Sequence, residues 1–171
     1  MISILALGAQ VSKAQDCEYL MQVDSVKLSS YRLQLQARDA SIDGMCVVKV
    51  VDGSIKGMIV NDFGIKALAF TISLDRKKVK LHDVMPMLDH WYIKRVIKND
   101  LKQLFRATTC DYATLGKKTE IEVQEDGSIK MTNSKYHIEY LFIKAPDVEQ
   151  DDSRQDQEPE IEPFIDDEAA E

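Results

Sequence analysis

The residues that could do chemistry are few and scattered. His82, His90 and His137 are the only imidazoles in the 171-residue chain. His82 and His90 have Asp83 and Asp89 beside them, so a metal site or a histidine-based hydrolase could be assembled there. That requires both histidines to converge with an acid in a cleft, at hydrogen-bonding distance. The plainer reading is a set of solvated turn and helix-start residues. His137, between Tyr136 and Ile138, reads as a cross-strand surface residue. No serine or cysteine lies in a G-x-S-x-G elbow, and no glycine-rich phosphate loop occurs. Cys17, Cys46 and Cys110 lack metal-ligand spacing. They allow one disulfide and one leftover thiol, with the pairing open. The expectation is a protein that is not an enzyme, with no catalytic residue, metal or cofactor.

Two binding features remain. Lys94, Lys98 and Lys102 follow an i, i+4, i+8 spacing, which puts them on one face of a helix. Such a stripe could meet anionic lipid headgroups in a peripheral membrane contact, take up an acidic segment of the same chain, or simply be a solvated face. The second feature is apolar. Met58, Val60, Leu68, Phe70, Ile72, Met85, Met87, Leu88 and Trp91 are candidates to line a space between a sheet and a helix. Methionine is unbranched and adaptable, as a site for an acyl chain requires. The same residues also serve as ordinary core.

The elements that must position these residues follow from periodicity. Tyr31, Leu33, Leu35 and Ala37 alternate with Arg32, Gln34 and Gln36, which predicts a strand with one wet side. "RDASIDG" at 38–44 reads as a loop and "MCVVKVV" at 45–51 as a second strand. Asp52-Gly53 is a hairpin signal, and 54–60 returns as a third strand in which Gly57 marks a bulge or a close approach. Asn61, Asp62 and Gly64 predict another turn. A fourth strand then starts at Ile65, with Leu68, Phe70, Ile72 and Leu74 on one face and small side chains on the other. "DRKK" turns the chain into a short fifth strand at 78–81. Residues 84–105 change to a helical period, as one helix or as two with a break near Asp89-His90. A loop at 107–118, a hairpin about Asp126-Gly127 and a last strand at 135–144 complete the chain. "DGSIK" occurs twice, at 52–56 and 126–130, but the flanks do not match and Asp-Gly before a strand is a common hairpin solution. The fold class is α+β: a curved antiparallel sheet, a half-barrel of about eight strands, covered by one main helical segment.

Charge and the chain ends bound the setting. From Asp147 onward twelve acids face one base, Arg154, a net −11. The whole chain carries −7, so the remainder carries +4. An acidic leash of this kind competes for any basic patch and argues against nucleic acid as a partner. With Pro159, Pro163 and few aromatics, 147–171 is expected to be disordered. "MISILALGAQVSKA" at 1–14 reads as the end of a signal peptide, with Ser12 and Ala14 at the small-residue positions of a cleavage site. The absent positive n-region implies a start upstream of Met1. Asp16, before Cys17, is wrong for lipidation of that cysteine. Residues 15–146 are then a single domain that is exported, in a periplasmic or outer-membrane-associated location.

The stretch "GSIKGMIVNDFGIKALAF" ends a strand in a short glycine turn and resumes with an apolar strand. In this it resembles the outer-membrane lipoprotein carrier and receptor proteins of Gram-negative bacteria, the LolA/LolB-like group. "N-x-F-G-I-K" at 61–66 and "W-Y-I-K-x-V" at 91–96 are also similar to segments of uncharacterised exported Bacteroidetes proteins. The resemblance spans about residues 20–145. It implies a hydrophobic cavity between a curved sheet and helices that shelters acyl chains of a lipid or an acylated protein. This chain departs in having one main helical segment, no lipidated receptor cysteine and an added acidic tail. The functional expectation is a non-enzymatic carrier of a lipid or other apolar ligand. The alternative is an envelope protein–protein interaction module with a filled core and an acidic docking tail.

Overall fold

The computed structural model describes residues 17–37, 40–112 and 118–146. The predicted leader at 1–14 and the acidic tail at 147–171 lie outside the described residues. The elements are β1 (Ser29–Ala37), β2 (Ala40–Val51), β3 (Ser54–Asn61), β4 (Lys66–Ser73), β5 (Val79–His82), a 3₁₀ turn (Pro86–Leu88), α1 (Trp91–Arg106), β6 (Thr119–Val123), β7 (Ile129–Asn133) and β8 (Ile138–Lys144). All eight strands form one open antiparallel sheet in the order β5-β4-β3-β2-β1-β8-β7-β6. The meander before the helix and the one after it join where β8 pairs with β1, placing Leu33 opposite Phe142.

Turn chemistry sets the register of the first meander. Asp52 and Gly53 both have positive φ, 50° and 67°, the backbone a two-residue hairpin needs to match strand twist. At the next turn the Asn61 side chain accepts the backbone N–H of Phe63 at 3.1 Å and of Ile65 at 2.8 Å. Gly64 takes φ +75°. These turns put Cys46, Val48, Ile55, Leu68, Phe70 and Ile72 on one buried face. Gly57 is a close approach: a Cβ there would lie 2.3 Å from the Phe70 ring. The ring therefore lies across β3, and it meets Phe105 of α1 edge-on at 5.7 Å. The register shift in this pair falls between Ile59 and Val60, away from Gly57.

Two boundaries differ from the sequence reading. The predicted loop at 38–44 is largely strand, because Ala40–Gly44 continue the ladder opposite Leu33–Ala37. Long antiparallel pairing overrides the weak strand propensities of Ser41, Asp43 and Gly44. The helical run divides at Asp89-His90, the second of the two arrangements its period allows: the 3₁₀ turn ends at Leu88 and α1 begins at Trp91 after an extended His90 that supplies no side-chain cap. The last strand begins at Ile138. His137 sits in the preceding turn with φ 55° and is not a strand residue.

The segment before β1 and the end of α1 are knotted together around one side chain. Arg76, in the β4–β5 turn, is 7% exposed and has φ 56°, a backbone cost for a non-glycine residue. Its Nη1 donates to the carbonyls of Met21 at 3.1 Å and Phe105 at 2.8 Å. Its guanidinium lies 3.6 Å from the centre of the Tyr19 ring. Phe105 belongs to the last turn of α1, whose carbonyls lack helical partners, so a cation there also meets the negative end of the helix dipole. The Leu20 N–H donates to the Ala107 carbonyl at 2.9 Å, and a Cys17–Cys110 disulfide closes the same corner. This leaves Cys46 as the free thiol, fully buried, with burial pushing its pKa up to about 12.

Two outcomes follow. Arg76→Met keeps the bulk but leaves two buried carbonyls without a charged donor, and is expected to lower stability by roughly 3 kcal/mol in urea unfolding. A thiol reagent is expected to find no reactive cysteine in the native, unreduced chain and one, Cys46, after unfolding without reductant. Labelling of the native chain would contradict the pairing.

Candidate functional site

Helix α1 crosses the concave side of the sheet with Val96, Asp100, Leu101, Leu104 and Phe105 buried. Beneath its middle is a cavity of about 80 Å³ with a wholly apolar exposed wall. Leu33 and Leu35 of β1, Ile42 of β2, Ile59 of β3 and Ala67 and Leu68 of β4 line it from the sheet. Met131, Tyr140 and Phe142 complete that wall, and Leu88, Ile97, Asp100, Leu101 and Leu104 roof it.

Of the nine apolar residues the sequence singles out, Leu68 and Leu88 line this cavity. Phe70 and Ile72 share its face but are sealed in the core. Met58 and Val60 project from the opposite face: Ile55 and Ile59 turn inward, and alternation turns Met58 and Val60 outward, opposite Val47 and Met45. Met85 is half-buried before the 3₁₀ turn. Met87 and Trp91 are 62% and 74% exposed, because the break at Asp89-His90 turns them off the sheet. The cavity residues outside that set come from β1, β7 and β8, from Ile59 and Ala67, from the inner face of α1, and from Ile42, which lies inside the predicted loop.

One carboxylate stands among the apolar groups. Asp100 is 1% exposed and accepts hydrogen bonds from Asn133 Nδ2 at 2.8 Å and the Tyr140 hydroxyl at 2.9 Å. Burial pushes its pKa above the ordinary 3.8, against these hydrogen bonds and one to Asn99. Burial, then the Asp100 charge, holds Tyr140 well above 10.0, so it stays a donor. The Asp100–Asn133 pair pins α1 to β7.

On the far side of that pair lies a groove of about 520 Å³. Arg95, Val96, Lys98, Asn99, Lys102 and Gln103 of α1 form one wall. Lys118, Thr119, Asn133, Lys135 and Tyr136 form the other. Of the lysine stripe, Lys98 and Lys102 face this groove, while Lys94 is paired with Asp89. The stripe is thus one wall of a two-walled basic surface. Its second wall was not legible, because Lys118 and Lys135 come from either side of the β6–β7 hairpin.

The histidines have separate partners. His82 Nε2 lies 3.1 Å from the Thr71 hydroxyl, His90 stacks on Tyr92, and Asp83 is bound to Lys66 at 2.8 Å. Among the described residues no cluster of three metal-ligating side chains forms, and no helix is long and apolar enough to cross a membrane. No protein-family model matches the chain, and no curated protein matches it.

Asp100 gives a pH signature. Because folding raises its pKa, the folded chain holds the proton more tightly than the unfolded one. The carboxyl adds stability below 3.8 that is lost as pH climbs through its folded pKa. In Asp100→Asn the Asn133 amide can turn so that its oxygen accepts from the new Nδ2. Urea midpoints are expected to show wild type losing stability relative to Asp100→Asn between acid and neutral buffer. A constant difference would contradict this.

Proposed function

We propose that the protein is an exported, non-enzymatic binding protein that holds an apolar chain, such as the acyl chain of a lipid or of an acylated protein, between the sheet and α1. The observation that carries this reading is the apolar cavity under the helix. Packed interiors hold few voids larger than a water molecule, and an apolar void stays dry and accepts an apolar guest. At about 80 Å³ it is well below the roughly 300–1,000 Å³ of a typical ligand site. Loading therefore requires α1 to move.

The helix ends differ in a way that supports such a movement. The C-terminal end is held by Arg76, the Leu20 amide and the disulfide. The N-terminal end has no side-chain cap and no acidic residue in its first turn. Met87, Trp91 and Tyr92 stand exposed there. The turn carrying exposed Phe63 and Ile65 is at the same end, tied to it by the Met85 N–H on the Ala67 carbonyl and by the Lys66–Asp83 pair. Lifting the first turns of α1 would open the cavity beside this apolar rim, where a donor membrane or acylated partner would touch. The disulfide supports export, since such bonds persist in oxidising compartments.

Trp91 is the only tryptophan and reports on the mouth. Titration of the full chain with palmitate is expected to shift its emission to the blue saturably. Ala67→Leu, which fills the cavity, is expected to melt near wild type and take up none. Absence of uptake by wild type would sink the carrier reading. It would leave the interaction module, with the exposed apolar end and the acidic tail as its docking surfaces.

A further inference from the structure

We infer that the basic groove between α1 and the β6–β7 hairpin is the docking site of the chain's own acidic tail, with Glu158, Glu160 and Glu162 seated along α1. This stands apart from the carrier reading: the groove shares no lining residue with the apolar cavity.

Charge is the first ground. Arg95, Lys98, Lys102, Lys118 and Lys135 converge on the groove, and no described carboxylate lines it. Lysines elsewhere on the described surface also lack an acidic partner, so it is the convergence that sets this place apart. Other hollows carry acids: Asp43 and Glu139 in one, Asp24 in a second, and Glu120, Glu122 and Glu125 in a third. Like charges gathered on one concave surface raise the local potential and draw in an anion. Lys135 rests over the Tyr136 ring at 4.7 Å, a contact that leaves its charge in place. The opposite charge is in the same chain. Of the acids outside the described residues, all but Asp16 and Asp39 lie in the tail, against Arg154 as its single base. The stretch "ATLGK" at 113–117, next to Lys118, adds no acid.

Reach and spacing are the second ground. β8 begins at Ile138, opposite Asn133 of the groove, and ends at Lys144, so the chain leaves the sheet roughly 20 Å along the strand from the groove. The stretch 147–157 spans at most about 36 Å, enough to return Glu158 to α1. Pro159 and Pro163 bias the residues before them, Glu158 and Glu162, toward extended backbone. In an extended chain alternate side chains fall on one side about 6.7 Å apart. Lys98 and Lys102 are separated by about 6 Å along the helix axis, and Arg95 lies about 4.5 Å before Lys98. A chain laid along the helix therefore offers one carboxylate to each of these cations, while Lys118 and Lys135 face it from the other wall. Each exposed pair is weak, but the tether holds the acids at an effective concentration of about millimolar. The docked tail is a built-in competitor, which any other polyanion must displace to reach the groove.

The test is zero-length carbodiimide crosslinking of the full chain at low concentration and low salt, with the linked peptides of the monomer band read by mass spectrometry. Tail carboxyls are expected to join Lys98, Lys102, Lys118 and Lys135 in preference to the exposed Lys77, Lys78 and Lys80, and the preference is expected to fade as salt screens the pairs. Lys98→Glu/Lys102→Glu is expected to reduce the links at Lys118 and Lys135, whose amines are untouched, by about fivefold or more. Lys77→Glu/Lys80→Glu, the same charge change away from the groove, is expected to leave them unaltered. A second readout is retention on heparin, a probe polyanion. Glu158→Gln/Glu160→Gln/Glu162→Gln is expected to elute at higher salt than wild type. Adding Lys98→Glu/Lys102→Glu to it is expected to remove that gain, and adding Lys77→Glu/Lys80→Glu to spare most of it. Thermal melting confirms that each variant folds. Links spread over exposed lysines without preference, no links at all, or insensitivity to the Lys98/Lys102 reversal overturns the inference. So do links confined to a dimer band, which would place the tail on a second copy, and a heparin gain removed equally by either lysine pair.

Discussion

A buried guanidinium organises one corner of this fold. Arg76 stands where three segments distant in sequence meet: the chain before β1, the turn between β4 and β5, and the last turn of α1. Each brings a group that is costly to bury alone. The helix end brings an unpartnered carbonyl, the N-terminal segment another, and the arginine a charge that cannot be neutralised. Together they satisfy one another, and the Tyr19 ring covers the remaining face of the cation. The left-handed backbone at Arg76 is the local cost of aiming the side chain inward.

That corner gives α1 its asymmetry. One end is anchored by hydrogen bonds, by the dipole interaction and by a covalent bond. The middle is pinned by Asp100 to Asn133 and Tyr140, and the other end rests on apolar contact without a cap. The pin separates an apolar space on one side from a cationic groove on the other. A buried carboxylate is a weak source of stability, but here it fixes the register of helix on sheet. It also leaves the Asn133 oxygen buried without a donor.

Most of the architecture was legible because it rests on local chemistry. Asp52-Gly53, Asn61 with Gly64, and Asp126-Gly127 determine where strands reverse, and period-two alternation determines which side is buried. The strand count and the place of the helix follow from that. The reading failed where long-range pairing decided the outcome. Ser41, Asp43 and Gly44 look like loop and become strand because β1 offers them a ladder. Met58 and Val60 were grouped with Phe70 by apolarity, although alternation from Ile55 already placed them on the other face. Arg76 gave no local signal, since nothing near it in sequence shows that a turn arginine will be swallowed by the core. The groove was half legible, as a lysine stripe lacking its opposite wall.

The cysteine arrangement constrains how the chain matures. Cys17 pairs with Cys110 across a separation of 93 residues, and Cys46 lies between them in sequence. Whenever the chain emerges from its N-terminus into an oxidant, the first thiol that Cys17 can meet is the wrong one. The correct partner follows only after five strands and the helix have been delivered. β1, β2 and β3 form from adjacent sequence and set Cys46 on the sheet face that α1 covers. In the finished fold Cys46 is buried and its thiolate suppressed. The helix that seals this face ends at Arg106, four residues before Cys110, so the wrong thiol is withdrawn by the element that delivers the right one.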